Sequence, residues 1–137
     1  MYPKFALTGD VILRCGEVFE EFFIIKSGKV EIIATDGGTR LAILESGAFF
    51  GEVAYFFNGK RSATVQALTE CMFLVLNKEK FEMILKLFPD ERRFLMKIAG
   101  QRLKTSSKND LPLKEVFFFI SFILKFLQNF REILKNQ

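Results

Sequence analysis

Between Gly9 and Leu76 the chain is a series of short apolar runs, none longer than six residues, separated by glycine-bearing turns. Val11-Ile12-Leu13 lies between Gly9-Asp10 and Gly16, and Phe22 to Ile25 is closed by Ser27-Gly28. Val30 to Ile33 leads to Asp36-Gly37-Gly38, and Leu41 to Leu44 ends at Ser46-Gly47. Val65 to Leu68 and Met72 to Leu76 complete the series. Runs this short and this rich in β-branched and aromatic residues predict strands, and their number predicts an all-β barrel or sandwich. Ser27-Gly28 and the Asp36-Gly37-Gly38 group are hairpin signals. Met1 to Leu7 shows no pattern and reads as a short lead, residues 1–8.

A chain of 137 residues is one domain, or one domain with an appendage. It contains no histidine, which removes the commonest general base and the commonest metal ligand. Glu20, Glu21, Asp36 and Glu45 form no motif with metal-ligand spacing, so nothing points to phosphodiester hydrolysis or other catalysis. Cys15 and Cys71 each sit in an apolar, strand-like context, as small buried hydrophobes of a reducing compartment do; a disulfide is the alternative. Met1 is followed by Pro3, Lys4 and Asp10 rather than an apolar core, so no secretory leader is expected. Charge is uneven: residues 1–77 carry 7 basic and 9 acidic side chains, and residues 78–137 carry 13 and 7. A solvated basic face accounts for this; an acidic partner or a membrane surface is the other reading.

One stretch inside the β region departs from plain strand and turn: Phe49 to Val65, FFGEVAYFFNGKRSATV. Gly51 allows close approach of backbone N–H groups, and the start of a short helix offers N–H donors to a phosphate. Arg61 supplies a permanent charge in a fork that matches two phosphate oxygens. Glu52 would repel a phosphate and can only accept, so its natural partner is a sugar hydroxyl. The small run Ser62-Ala63-Thr64 leads into the next strand.

Phe50-Gly51-Glu52, the following Val53-Ala54 and Arg61-Ser62-Ala63-Thr64 resemble the phosphate-binding cassette of cyclic-nucleotide-binding domains. That family includes regulatory subunits of cyclic-AMP-dependent kinase, cyclic-GMP-dependent kinases, bacterial catabolite activators and cyclic-nucleotide-modulated channels. The resemblance covers roughly residues 9–107 and implies an α+β fold, a jelly-roll-like β-barrel followed by C-terminal helices. It further implies that Glu52 takes the ribose 2′-hydroxyl and Arg61 the cyclic phosphate. Where members usually carry paired leucines this chain has Tyr55 and Phe56. Ser62 stands where cyclic-GMP-selective relatives carry threonine and cyclic-AMP-selective kinase subunits carry alanine, which implies binding of both nucleotides. A helical segment normally precedes the first strand in this family; here it is nearly absent, so the chain reads as a piece of something longer.

After Leu76 the period changes. Asn77 is a good N-cap, and Phe81, Ile84, Leu85 and Phe88 recur at helical spacing, predicting a helix over 78–88. Pro89 opens a second helix, 89–107, with Asp90 and Glu91 in its first turn. Leu95, Ile98 and Ala99 define its inward stripe, with Arg102 on the same face and Ser106 one turn on. Arg102 is either a snorkelling side chain or a group that touches the ligand. The resemblance favours contact: in hyperpolarisation-activated channels an Arg-Leu pair at this place meets the nucleotide, and Arg102-Leu103 matches it, as Leu87-Phe88-Pro89 matches the channel type.

Thr105 to Asn109 reads as a polar linker. Beyond it Leu113, Val116, Ile120, Ile123, Leu127, Phe130 and Leu134 form a heptad seam in a tail helix over 113–136. Packing on its own domain, pairing of copies through the 113–134 seam, or lying on a membrane surface would each satisfy that seam.

The expected ligand-binding residues are therefore Phe50, Gly51, Glu52, Val53, Ala54, Arg61, Ser62, Ala63 and Arg102. No cofactor or metal is expected, the ligand being cyclic AMP or cyclic GMP. The expected function is a non-catalytic sensor that couples binding to helix movement, regulating a cation channel, or else a kinase or an exchanger. A degenerate barrel used only for assembly would have no need of Glu52 and Arg61. A nucleic-acid partner is not expected, because the tail contains no helix-turn-helix. The expected location is cytoplasmic, with any membrane link made through an attached channel.

Overall fold

In a computed structural model the residues described are 1–57 and 59–104. The tail helix and its seam, the 105–109 linker and Ser106 lie outside the described residues. The strands are β1 (Tyr2–Ala6), β2 (Val11–Leu13), β3 (Glu21–Ser27), β4 (Lys29–Ile33), β5 (Arg40–Glu45), β6 (Phe49–Phe50), β7 (Thr64–Ala67) and β8 (Cys71–Asn77). The helices are α1 (Glu52–Phe56), α2 (Lys78–Leu87) and α3 (Pro89–Lys104). All strand pairings are antiparallel, in two four-stranded sheets of order β1-β8-β3-β6 and β2-β7-β4-β5. The two sheets make a jelly-roll-like β-barrel, and the helices pack on one of them.

The first sheet is apolar on both faces, which is why β3 reads as a continuous apolar run rather than an alternation. Phe23 and Ile25 point between the sheets, where they meet Val30, Phe50, Val65, Phe73 and Val75. Phe22 and Ile24 point the other way, onto Phe49, Leu76, Phe81, Ile84, Leu95 and Ile98. The single step from Phe49 to Phe50 in β6 likewise divides the two cores. A helix layer thus seals the outer face of the sheet whose inner face closes the barrel.

Helix ends follow local chemistry. The Asn77 side chain accepts the Lys80 N–H at 2.9 Å and starts α2. Pro89 opens α3 with Asp90 and Glu91 in its first turn. Leu95, Ile98 and Ala99 are all buried, as their spacing requires. Gly28, between β3 and β4, has φ +94°, and a Cβ there would lie 2.3 Å from the Glu70 carbonyl oxygen, so only glycine fits.

Two expectations are corrected. Residues 2–6 are not a patternless lead but strand β1, paired with β8 from Tyr2↔Val75 to Ala6↔Cys71. Of the five only Ala6 is buried, so no alternation shows in the sequence, and Pro3 is tolerated because β1 is an edge strand. Cys15 is exposed rather than buried, because the turn at Gly16 (φ +91°) ends the strand at Leu13. Cys71 is buried with its thiol against the carbonyls of Thr69 and Lys29, and both cysteines are free.

The β4–β5 turn carries an acid-sensitive element. Asp36 accepts from the Thr39 hydroxyl and from the N–H groups of Thr39 (2.8 Å) and Gly38 (2.9 Å). These bonds, the hydroxyl's first, lower its pKa from 3.8 to about 2. A carboxyl depressed on folding stabilises the fold above its unfolded pKa, and that contribution is lost as pH falls through the folded value. The unfolding midpoint should therefore drop between pH 3.8 and about pH 2, and drop less in Asp36→Asn. Thermal melts of both proteins across that window check this; parallel curves would exclude Asp36 as the group responsible.

Candidate ligand-binding site

The β6–α1–β7 segment folds back against the second sheet and leaves a cavity of about 480 Å³. Leu13, Ile32, Leu41, Ala42, Leu44 and Val65 of β2, β4, β5 and β7 form an apolar wall. Ala34 and Thr35 extend it past the end of β4. The opposite side is Phe50, Gly51, Glu52, Val53, Ala54, Arg61, Ser62 and Ala63, and the end of α3 adds Arg102 and Leu103. All nine residues singled out in the sequence line this one cavity. Leu103 entered the sequence reading only through the Arg-Leu pair, and the wall residues formed no part of the expected site. Their apolar strand pattern serves a core equally well, so it carries no signal for a ligand.

Arg61 is 5 % exposed. Its Nη1 donates to the Gly51 carbonyl at 2.9 Å and its Nη2 to the Glu21 carbonyl at 2.7 Å. Both acceptors are neutral, and among the described residues no carboxylate lies within ion-pairing distance. Burial pushes the guanidinium below its ordinary pKa, while the carboxylates of Glu21, Glu17, Glu52 and Glu20 pull it back. Glu21 is raised by burial against the opposing pull of Arg61. Gly51 makes this close approach feasible. Its φ is +103°, and a Cβ there would lie 3.0 Å from Arg61 Nη1 and 3.2 Å from the Glu21 carbonyl. Gly51 is also the N-cap of α1 and has no side chain to bond the first-turn N–H groups.

Glu52 is fully buried. Its Oε1 accepts from Arg102 Nη1 at 2.8 Å, and the same nitrogen donates to the Phe49 carbonyl at 3.0 Å. The Arg102 guanidinium also lies over the Phe49 ring, 4.8 Å from its centroid. Arg102 therefore does not snorkel: it reaches across the cavity wall to the cassette carboxylate, a pairing over 50 positions that no local pattern signals. Among the described residues, Glu52 Oε2 and Arg102 Nη2 are buried without a hydrogen-bond partner.

The arrangement presents a buried cation, an acceptor-only oxygen and a donor, set around an apolar slot. That set suits an anion joined to a hydroxyl-bearing ring and a flat apolar group. Among the described residues no group of three His, Cys, Asp or Glu side chains could hold a metal ion. Tyr55 and Phe56 do not line the cavity; they pack on the helix-side core, with Tyr55 edge-on to Phe19 and Phe81.

The family model for the cyclic nucleotide-binding domain matches residues 3–87. The human cyclic nucleotide-gated channel beta-3 is 36% identical over 106 residues, covering 74% of this chain and 13% of that protein. The mouse potassium/sodium hyperpolarization-activated cyclic nucleotide-gated channel 3 is 32% identical over 106 residues, covering 77% of this chain and 13% of that protein. Among solved structures, the regulatory subunit of a cAMP-independent protein kinase A from Trypanosoma brucei superposes with a TM-score of 0.62 at 30% identity. That match covers 68% of this chain and 34% of the other. The chain thus spans only a small part of the length of the relatives it matches.

Removing one partner of a buried pair leaves the other charge uncompensated. Arg102→Met should therefore destabilise the domain by roughly 3 kcal/mol, the low end for such pairs because Arg102 is partly exposed. Adding Glu52→Gln to that variant should recover much of the loss. Denaturant unfolding of the two single variants and the double variant checks the coupling; additive losses would show that the pair is not an energetic unit.

Proposed function

Because the chain belongs to the cyclic nucleotide-binding domain family, its residues 3–87 matching that family's model, we propose that its cavity binds one cyclic AMP or cyclic GMP. In this reading Arg61 holds the cyclic phosphate with the help of the first-turn N–H groups of α1. Glu52 Oε2 accepts the ribose 2′-hydroxyl, and the base lies along the apolar wall toward Arg102 and Leu103. Ser62 offers a hydroxyl to the base, so both nucleotides are accepted. The observation that carries the reading is the fully buried Glu52 carboxylate, whose second oxygen has no partner among the described residues while Arg61 lines the same cavity.

The domain acts as a sensor without catalysis. Ligand that contacts both the cassette and Arg102 favours the arrangement in which α3 covers the cavity, and it shifts that equilibrium only by its differential affinity for the covered state. Sequence relatives that are channels support regulation of a cation channel from its cytoplasmic side. Kinase regulation is the second reading, supported by the solved kinase regulatory subunit. Among the described residues no helix is long and apolar enough to cross a membrane.

Calorimetric titration of the full chain tests the binding roles. Arg61→Ala should weaken binding of both cyclic nucleotides by roughly 2–5 kcal/mol, the cost of removing one half of a buried charge contact. Unchanged affinity in that variant would refute the site. A separate arm concerns the sugar: 2′-deoxy cyclic AMP should bind the parent more weakly than cyclic AMP by about 0.5–1.5 kcal/mol or more. That difference should largely vanish in Glu52→Ala, which has no side-chain acceptor. A deoxy penalty of equal size in both proteins would remove Glu52 from the ribose role.

A further inference from the structure

Phe19 lies outside the cavity lining, yet its ring sits 5.1 Å from the Arg61 guanidinium. We propose that Phe19 is a positioning residue for phosphate binding, its ring face supplying the third constraint that aims the Arg61 guanidinium into the cavity. This rests on the reading that Arg61 binds the cyclic phosphate.

A buried cation needs compensation. The two carbonyls on Arg61 supply part of it, from Gly51 and Glu21. Hydrogen bonds to a guanidinium lie in its plane, so they leave its faces open. The Arg61 guanidinium carbon lies over the Phe19 ring, and ring-face attraction for a cation is strongest where water is excluded. Both groups are excluded, each being 5 % exposed. An aliphatic side chain could fill the same space but has no negative ring face.

The ring is itself immobilised. The Phe19 N–H donates to the Gly59 carbonyl at 2.8 Å, and Val18 and Lys60 form an antiparallel bridge. The Arg61 N–H donates to the Glu17 carbonyl at 2.7 Å, and the Gly16 N–H to the Arg61 carbonyl at 2.8 Å. Residues 16–19 are therefore zipped to 59–61, and ring and guanidinium share one rigid frame. The ring also meets Tyr55 edge-on at 5.3 Å and Phe81 at 5.7 Å. Tyr55 and Phe81 therefore stop it turning away.

The test is a calorimetric titration of the full chain with cyclic AMP. Phe19→Leu should weaken binding about three- to thirtyfold. Phe19→pentafluorophenylalanine, nearly the same shape with the ring's charge distribution reversed, should weaken binding comparably while still unfolding in one cooperative transition above the titration temperature. This variant decides the matter if Phe19→Leu does not fold. In an Arg61→Lys background either Phe19 change should cost less, since a flexible ammonium is not fixed over the ring by the two carbonyls that hold the guanidinium fork. A pentafluoro variant that binds like the parent, or a Phe19→Leu loss that is the same with lysine at 61, overturns the proposal. If the parent binds cyclic AMP and depends on Arg61 while the Phe19 variants bind unchanged, only this inference falls. If the parent does not bind, or does not depend on Arg61, the ligand reading falls and the inference with it.

Discussion

A carboxylate taken fully out of water needs a cation, and for Glu52 that cation arrives from α3. The Arg102–Glu52 contact is therefore both a local electrostatic requirement and a tertiary clamp. It holds the last turn of α3 at the mouth of the cavity and, through the Phe49 carbonyl, ties that turn to β6. The pair is also incomplete, because one oxygen and one nitrogen remain unpartnered among the described residues. Unpaired buried polar atoms are costly in a stable fold but are what a polar ligand needs. The contact that seals the site thus leaves the means of recognising something in it.

The other cation is handled differently. Arg61 is held by backbone carbonyls and a ring, with no carboxylate in contact among the described residues, so its charge is oriented without being cancelled. One arginine serves the fold by pairing; the other keeps its charge available. The two are mechanically joined all the same. Phe49 beneath Arg102 packs on Phe22, Phe22 stacks on Phe81 at 4.7 Å, and Phe81 meets Phe19 beneath Arg61. Phe81 belongs to α2, so both cavity cations rest on an aromatic array that includes the helix layer. Movement of α2 or α3 cannot leave the arginines undisturbed, since close-packed interiors transmit strain.

How much could be read in advance depends on the range of the interaction. The Asn77 cap and the Leu95, Ile98 and Ala99 stripe were legible because their partners lie within a few residues. The β1 strand was not. Its pairing is decided by β8, some 70 residues on, and its own side chains are mostly exposed. Cys15 looked like a strand residue because Val11 to Leu13 is apolar, but the turn at Gly16 governs it. The cassette residues were legible as a set because glycine, carboxylate, arginine and small residues in that order have few structural reasons to occur together.

By itself, the sequence determined the β-rich domain with trailing helices, the turn positions and the identity of the polar groups available to a ligand. These follow from short-range chemistry: strand and helix periods, glycine's access to positive φ, and the charge of each side chain. Only the tertiary structure decided what those groups do to one another. It alone set Arg102 on Glu52 across 50 positions, Phe19 against Arg61 across 42, and the apolar wall opposite both. Such contacts depend on how two sheets and a helix layer close around one another. No local pattern records that closure, because each residue's own preferences are satisfied equally well before its distant partner arrives.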